Sequence, residues 1–371
     1  MGRRVDRQAS PARVRRHHRL MATIYPAPLH PGSRIAVTAP SSGVAPRLHA
    51  RLELALSVLR ARGFLVEEGR CLRQQQDDAS APATERAAEL MALLLREDVD
   101  AIVPPWGGEL AIEVLQRLDW AALGRARPKW LLGYSDTSTL LLPITLHLGW
   151  ATAHGPCLMD LVPGQDDPLT ASLFEHLATP AGGRFVQAAS SRWQRQWTDF
   201  ASAPQQPYQL SETTVWRPVN AAAARPLDLQ GRLIGGCIDT LMHLAASRDG
   251  DVPGFVLRAA ARGEATLLYL ENAELSPPAL VRALRGLRAA GWFDGVAAVL
   301  IGRSGAEPVD DPQRLDDARA VDQSLADLTC PVLADLDIGH RPPQWLLING
   351  AMARLRWDGR SAAGTLEQTL A

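Results

Sequence analysis

The 371-residue sequence lacks most features of metal-binding, nucleotide-binding, secreted or membrane-spanning proteins. Its four cysteines are widely spaced without a C-x-x-C pair, so neither a metal site nor a disulfide framework is predicted. No Walker or G-x-G-x-x-G spacing occurs, and we predict no cofactor. No run of about 18 apolar residues is present, which predicts no membrane-spanning helix. The formal net charge of −1 favours neither nucleic acid nor an anionic membrane as a partner.

The remaining composition, 46% hydrophobic and 21% charged residues, is typical of a soluble globular protein. A chain of this length exceeds one ordinary hydrophobic core, so we expect two domains. We interpret the cysteines as small buried side chains in a reducing compartment, and we predict a cytoplasmic protein.

The first residues differ in kind, because 3–19 are rich in arginine and nearly free of apolar side chains. They lack the apolar region of a secretory signal peptide. An arginine-rich transit peptide is one interpretation, and an extension ahead of a start at Met21 is the one we favour. We predict that residues 1–28 are a disordered basic extension.

Strand and helix patterns alternate regularly along residues 29–175, which predicts an N-terminal α/β domain with a doubly wound parallel sheet. Residues 176–226 break this rhythm, and we predict a linker with a tryptophan-containing insertion. A smaller mixed α/β domain with a β-rich core is expected over 227–371.

Several residues follow predicted strands of the N-terminal domain and are expected to gather where ligands bind in such sheets. They are Ser42, Gly107, Gly108 and Ser135. The Gly-Gly pair permits close backbone approach and could supply an N–H group to an oxyanion hole. A plain strand-to-helix turn is the alternative interpretation.

Ser135 lies in the stretch K-W-L-L-G-Y-S-D-T-S, where a short apolar strand meets a helix. A serine on such a sharp turn has an exposed hydroxyl near helix-start N–H groups, as a nucleophile requires. The pattern is G-x-S-D rather than the hydrolase G-x-S-x-G, and a helix-capping serine is the alternative.

Two further residues carry chemistry in the C-terminal half. The apolar strand 265–271 ends on Glu271, and a buried carboxylate needs a partner. His340 follows a glycine in a loop, from which its imidazole could reach a serine of the neighbouring domain. A surface-loop histidine is the alternative. Trp193 and Trp197 in the insertion could stack on a substrate or pack beneath the connection.

Taken together, the sequence resembles the LD-carboxypeptidase family of serine peptidases, which includes muramoyl-tetrapeptide carboxypeptidases and microcin C-resistance peptidases. The resemblance extends from about residue 29 to 357 and rests on the order and spacing of seven motifs. These are L-H-P-G-S-R-I-A-V-T-A-P-S-S at 29–42, W-G-G at 106–108, G-Y-S-D-T-S at 133–138, H-G-P at 154–156, G-R-L-I-G-G at 231–236, L-Y-L-E at 268–271 and I-G-H at 338–340.

The resemblance implies a catalytic triad with Ser135 as nucleophile, His340 as general base and Glu271 as the acid that orients it. It also implies an oxyanion hole formed by the backbone N–H groups of Asp136 and of Gly107 and Gly108, and a homodimer. Two positions depart from the family pattern near the expected substrate. Trp106 stands where many members have arginine, and Cys237 where many have asparagine.

The expected function is therefore hydrolysis of the bond between an L-centre and a C-terminal D-amino acid, with a small peptide as substrate, as in murein recycling. The alternative enzyme hydrolyses a peptidyl-nucleotide or acyl-aminoacyl conjugate, as the microcin C-type relatives do. A non-enzymatic peptide or sugar sensor with the same two-domain cleft is the third hypothesis, which the presence of all three triad residues disfavours.

Overall fold

The computed structural model describes residues 22–371 of the chain. Within them lie sixteen strands and eleven α-helices. The strands are β1 (Arg34–Val37), β2 (Leu65–Glu68), β3 (Ala101–Ile102), β4 (Trp130–Gly133), β5 (Thr152–His154), β6 (Arg184–Ala188), β7 (Arg192–Trp193), β8 (Glu212–Thr213), β9 (Arg217–Pro218), β10 (Leu227–Cys237), β11 (Thr266–Glu271), β12 (Ala298–Gly302), β13 (Val332–Leu336), β14 (Leu347–Asn349), β15 (Met352–Trp357) and β16 (Thr365–Thr369). The helices are α1 (His49–Ala61), α2 (Ala83–Leu95), α3 (Ala111–Leu115), α4 (Trp120–Leu123), α5 (Ser138–Leu148), α6 (Pro168–Ala171), α7 (Leu173–Leu177), α8 (Ile238–Leu241), α9 (Val252–Ala260), α10 (Pro277–Ala289) and α11 (Asp317–Leu325).

The first sheet has six strands in the order β14-β5-β4-β3-β1-β2. The five strands from the N-terminal half pair in parallel, and β14 joins them antiparallel to β5. The connections between the parallel strands carry helices, as crossovers between parallel strands require. The carboxyl ends of these strands therefore share one edge of the sheet, where the Ser135 turn lies.

The second sheet has eight strands in the order β6-β16-β15-β10-β11-β12-β13-β9. Its central strands β10 to β13 pair in parallel, and antiparallel strands extend it on both sides. Strand β11 is buried along its whole length, from Thr266 to Glu271. An all-buried strand in the middle of a sheet is a rigid support for a functional side chain at its end.

The predicted fold class, a doubly wound parallel-sheet domain followed by a smaller β-rich α/β domain, is confirmed. Each sheet is completed by a strand from outside its predicted domain. Strand β14, from the second half of the chain, completes the first sheet, and β6, from the predicted linker, lies at the edge of the second. The connection is therefore built into the fold.

Residues 22–28, which we predict to belong to the disordered extension, take part in the fold. The backbone N–H of Ile24 donates to the carbonyl of Gly149, 2.7 Å away, and Ile24 forms a parallel bridge with Trp150. These contacts attach residue 24 to the segment that leads into β5, and local sequence patterns do not reveal them. Residues 1–21 of the predicted extension lie outside the described part of the chain. Across 22–371, every helix is too short or too polar to traverse a lipid bilayer.

Candidate active site

The Ser135 turn has the geometry of an exposed nucleophile. Strand β4 ends at Gly133, and a short 3₁₀ turn over Ser135–Thr137 leads directly into α5. Ser135 has a φ of 60°, a left-handed conformation that a non-glycine residue rarely adopts. Such strain persists where the surrounding structure enforces it, and it is common at functional sites. The turn presents the Ser135 side chain to a cavity at the sheet edge.

The side chain of Asp136 holds this turn in place. Its carboxylate accepts hydrogen bonds from the hydroxyl of Ser41 at 2.6 Å, from the N–H of Ala111 at 2.8 Å and from the hydroxyl of Thr139 at 3.1 Å. These donors come from three different segments of the N-terminal half. Burial raises the pKa of Asp136, although the hydrogen bonds act to lower it. The carboxylate thus ties the loops of the sheet edge to the nucleophile turn.

The Gly107-Gly108 pair lies directly against the turn. A Cβ at position 107 would lie 2.6 Å from the Cβ of Ser135 and 2.8 Å from the backbone N of Asp136. Gly108 has a φ of 133°, and a Cβ there would lie 2.6 Å from the hydroxyl oxygen of Ser41. A side chain at Gly107 would therefore displace the Ser135 turn, and one at Gly108 would displace the adjoining Ser41-Ser42 loop. The close approach brings these backbones together, as an oxyanion hole requires.

Glu271 and His340 form a buried hydrogen-bonded pair. The Nδ1–H group of His340 donates to Oε2 of Glu271 at 2.7 Å, and Glu271 is fully buried. Burial alone would raise the pKa of Glu271, but His340 and His154 outweigh it and hold this pKa well below its usual range. Burial alone would lower the pKa of His340, but Glu271 and more distant carboxylates raise it above the ordinary value. Glu271 is therefore ionised, and it strengthens His340 as a base.

Glycines allow this pair to form. Gly339, immediately before the histidine, has a φ of 87°, and a Cβ there would collide with the Glu271 carboxylate. A Cβ at Gly302, the last residue of β12, would lie 3.0 Å from the Cβ of Glu271. Backbone without side chains therefore surrounds the carboxylate, which leaves its oxygens to the histidines.

Ser135 and the Glu271–His340 pair lie near the boundary between the two sheets, along two neighbouring cavities. The ring of Tyr134, which precedes Ser135, lies edge-on to the His340 ring with centroids 4.9 Å apart. Ser135 lines a cavity of about 130 Å³, and His340 lines a second cavity of about 610 Å³. Both cavities include Ala273 and Glu274 in their walls, so they adjoin. The three predicted catalytic residues thus surround one region of the molecule.

Cys237 lies in the same region, at the end of β10. Its Sγ lies 3.5 Å from Oδ2 of Asp239 and lines the cavity beside Ser135. Three potential metal-ligating atoms lie within 4.8 Å of one another: the sulfur of Cys237, a carboxylate oxygen of Glu271 and an imidazole nitrogen of His340. Burial, then the charges of Glu271 and Asp239, raises the pKa of the Cys237 thiol well above its ordinary value.

The predicted substrate-binding residues are divided by the structure. Trp197 is 42% exposed and lines the same cavity as His340. The indole of Trp193 instead faces the Arg303 guanidinium, 5.7 Å from the ring centroid. Trp106 donates its indole N–H to the carbonyl of Ser42, so these two residues bond to each other beside the glycine pair. Their contact with a substrate stays a prediction.

Two residues of the site carried no role in the sequence analysis. Asp239 accepts hydrogen bonds from the N–H groups of Ala273, Glu274 and Leu275, and so shapes the loop that follows Glu271. His154, in the H-G-P motif, is buried with its Nε2 3.9 Å from Oε1 of Glu271. The motif was a usable signal for His154, whereas nothing around Asp239 sets it apart.

Both halves of the chain match models of one peptidase family. Residues 35–155 match the LD-carboxypeptidase N-terminal domain, and residues 230–355 match the LD-carboxypeptidase C-terminal domain. A Streptomyces coelicolor protein, provisionally named a carboxypeptidase, is 30% identical over 321 residues, 85% of this chain and 88% of that protein. A Bacillus subtilis protein named "Probable murein peptide carboxypeptidase" is 26% identical over 351 residues, 93% of this chain and 96% of that protein.

The microcin C7 self-immunity protein MccF of Escherichia coli is 25% identical over 354 residues, 91% of this chain and 95% of that protein. A solved structure of MccF in complex with glutamyl sulfamoyl guanosine aligns with a TM-score of 0.77 and 22% sequence identity. That alignment covers 95% of this chain and 98% of the MccF chain. The two-domain fold is therefore shared across nearly the whole length.

Proposed function

The chain belongs to the LD-carboxypeptidase family of peptidases, and we propose that it is a serine carboxypeptidase that removes a C-terminal D-amino acid from a small peptide. The scissile amide joins an L-centre to that D-residue, as in D-alanine release from a murein tetrapeptide. The observation that carries this proposal is the 2.7 Å hydrogen bond between His340 and buried Glu271, on the far side of the cleft from the strained Ser135 turn.

In the proposed mechanism, Ser135 Oγ attacks the carbonyl carbon while His340 takes its proton. Glu271 holds the imidazole in the tautomer with Nδ1–H and stabilises the imidazolium that forms. The oxyanion is met by the backbone N–H groups of Asp136 and the Gly107-Gly108 turn. His340 then donates the proton to the leaving amine, which departs as the free D-amino acid.

Water completes the proposed cycle. His340 removes a proton from a water molecule, whose oxygen attacks the acyl carbon of the Ser135 ester. Collapse of the second tetrahedral intermediate breaks the ester and returns the proton from His340 to Ser135 Oγ. The shortened peptide leaves with a new carboxylate, and every proton is conserved without an external reductant or oxidant.

A second candidate is hydrolysis of an acyl-aminoacyl or peptidyl-nucleotide conjugate. The observation in its favour is the lining of the cavity beside Ser135. Within the described residues, this lining includes Glu109, Asp136, Asp239 and Glu274 but neither lysine nor arginine. An acidic lining is a poor partner for the carboxylate of a C-terminal amino acid, so it favours a substrate with no free carboxylate next to the scissile amide.

Four substrates compared at equal concentration separate the two candidates. They are murein tetrapeptide ending in D-alanine, the same peptide ending in L-alanine, its C-terminal amide, and an aminoacyl sulfamoyl adenosine. We expect the first substrate to be cleaved at least about tenfold faster than each of the other three. Preference for the sulfamoyl adenosine would establish the second candidate, and equal cleavage of both alanine epimers would refute LD specificity.

We also propose that the protein is a cytoplasmic homodimer, as the family resemblance implies. Light scattering coupled to size-exclusion chromatography would test the dimer with the full chain. A mass near twice 40.2 kDa at micromolar protein supports it, and a mass equal to one chain contradicts it.

A further inference from the structure

His154 is a buried histidine that the proposed reaction does not use. It is the last residue of β5 and pairs with Gly133 of β4 on one side and Leu347 of β14 on the other. Its side chain is 0% exposed, and among the described residues neither ring nitrogen has a hydrogen-bond partner. Leaving such groups unpaired in a protein interior is costly, and each instance asks for an explanation.

The nearest complementary group is the unused oxygen of Glu271. Oε2 accepts the hydrogen bond from His340, whereas Oε1 is buried without a hydrogen-bond partner among residues 22–371. His154 Nε2 lies 3.9 Å from this Oε1. A shift of about 1 Å would bring the two atoms to hydrogen-bond distance, about 2.9 Å. One carboxylate therefore stands between two imidazoles, one on each oxygen.

Aromatic rings confine His154 to this position. Its ring centroid lies 5.3 Å from that of Tyr269 and 6.4 Å from that of Tyr134, both edge-on. Tyr269 is itself fixed, because its hydroxyl donates to Oδ1 of Asn349 at 2.8 Å. The two tyrosine rings therefore pack against the imidazole beside Glu271.

We propose that His154 is a positioning residue that donates its Nε2–H to Oε1 of Glu271 and so fixes the carboxylate plane for His340. The inference rests on the proposed triad, since it assigns His154 no contact with substrate. The proposed series of hydrogen bonds then runs from Ser135 through His340 and Glu271 to His154. A carboxylate held at both oxygens cannot rotate away when His340 moves its proton.

The proposed role requires a proton on Nε2 of His154 and none on Nδ1. The titratable groups that face it are Tyr134, Tyr269, Glu271 and, beyond the carboxylate, His340 and Cys237. Glu271 is the only one of these that is charged before the reaction. A cation at His154 would oppose the imidazolium that forms at His340 during each transfer. A neutral N–H donor orients the carboxylate without that repulsion.

Two variants separate positioning from packing. His154→Phe keeps a ring between the two tyrosines but removes the N–H donor, and His154→Gln keeps a donor amide of similar reach. We expect His154→Phe to lower kcat about 10- to 100-fold, the range found for the hydrogen-bond partners of metal-ligating side chains, with KM within about twofold. We expect His154→Gln to recover most of this loss.

The pH profile of kcat/KM gives a readout that packing alone would not move. With Oε1 unheld in His154→Phe, the carboxylate turns and its bond to His340 weakens. The pKa of His340 then falls toward its ordinary value, so the acidic limb of the profile moves to lower pH. His154→Gln should return it to the wild-type position. An unchanged limb in His154→Phe, a limb moved to higher pH, or no recovery in His154→Gln would overturn the proposal.

Nitrogen NMR of histidine-labelled, full-length wild-type protein tests the same claim without a substitution that must fold. We expect a protonated Nε2 and an unprotonated Nδ1 for His154, assigned by its absence from the His154→Gln spectrum. An unprotonated Nε2, or an imidazolium, would overturn the proposal. Loss of activity in Ser135→Ala with wild-type behaviour of His154→Phe would refute this inference alone. An active Ser135→Ala would refute the triad itself.

Discussion

The cleft has two walls, a backbone wall formed by the Ser135 turn with Gly107 and Gly108, and a charged wall formed by Glu271 and His340. The two walls position their side chains by different physical means. On the Ser135 wall, backbone geometry dominates: a left-handed φ of 60°, two glycines in close contact and helix-start N–H groups. On the opposite wall, side-chain charge dominates, because the carboxylate of Glu271 is fully buried and accepts a hydrogen bond from His340. The difference shows that one site can combine a strained backbone turn, at Ser135, with a buried ionised side chain, at Glu271.

Removing the nucleophile should give the largest effect. We expect Ser135→Ala to lower kcat by about 10⁴-fold or more, because no other group can form the acyl-enzyme. The fold should persist, since the substitution removes only the hydroxyl group and leaves the Cβ and the backbone of the turn in place. Steady-state kinetics on murein tetrapeptide measure the loss. Ser57→Ala is the matched control, because its exposed hydroxyl bonds only within α1. Wild-type turnover in Ser135→Ala would remove the backbone wall from the mechanism.

Neutralising the charged wall should cost nearly as much. In Glu271→Gln, the side chain keeps its shape but loses the charge that orients and strengthens His340. We expect kcat to fall about 10³- to 10⁴-fold, as when a triad carboxylate is replaced by its amide. Glu53→Gln, on an exposed ion pair with Arg73, serves as the control and should be fully active. A loss below tenfold in Glu271→Gln would show that the buried charge is dispensable.

A methyl group on the backbone wall should have an intermediate effect. Gly107→Ala would place a Cβ within 2.6 to 2.8 Å of the Ser135 turn, so the turn or the loop must shift. We expect about 10²- to 10³-fold lower kcat, comparable to losing an oxyanion donor. Gly286→Ala is the control, because no atom lies within 4 Å of its Cβ. It should keep full activity and add about 1 kcal/mol of stability. Full activity in Gly107→Ala would show that close packing there is unnecessary.

The smallest effect is a displacement of the pH profile. Because Glu271 raises the pKa of His340, the base is lost to protonation at a higher pH than an ordinary imidazole, whose pKa is about 6.5. The acidic limb of kcat/KM should therefore lie above that value and fall as pH decreases. Its midpoint should move to lower pH in Glu271→Gln. A wild-type limb at or below 6.5 would contradict the electrostatic role of the charged wall.

The two walls also differ in how far the sequence predicts them. Ser135 and the Gly107-Gly108 pair lie at ends of short strands, so local patterns predict their turns. Glu271 is predicted in part, because an apolar strand that ends on a carboxylate is unusual. His340 has only a weak local signal, its place after a glycine in a loop, and its resemblance to a family motif identifies it. Its partner and its burial arise from contacts 69 residues apart in the chain, which local patterns do not contain.

The missed features have the same origin. Strand β14 joins a sheet built from the other half of the chain, and His154 becomes a neighbour of Glu271 only through that arrangement. Local patterns predict neither β15 nor β16, although β15 alternates buried and more exposed residues. Beyond their own hairpin, these strands pair with β10 and β6 from distant parts of the chain. Long-range pairing decides these elements, and a pattern of a few residues does not record its partner.

The most direct test of the account compares Ser135→Ala, His340→Ala and the double variant in kcat/KM on one substrate. If the two walls form a single catalytic unit, the double variant loses no more than the more damaged single variant, within about threefold. If the losses multiply, or if His340→Ala keeps the wild-type rate, the walls act independently and the account is contradicted.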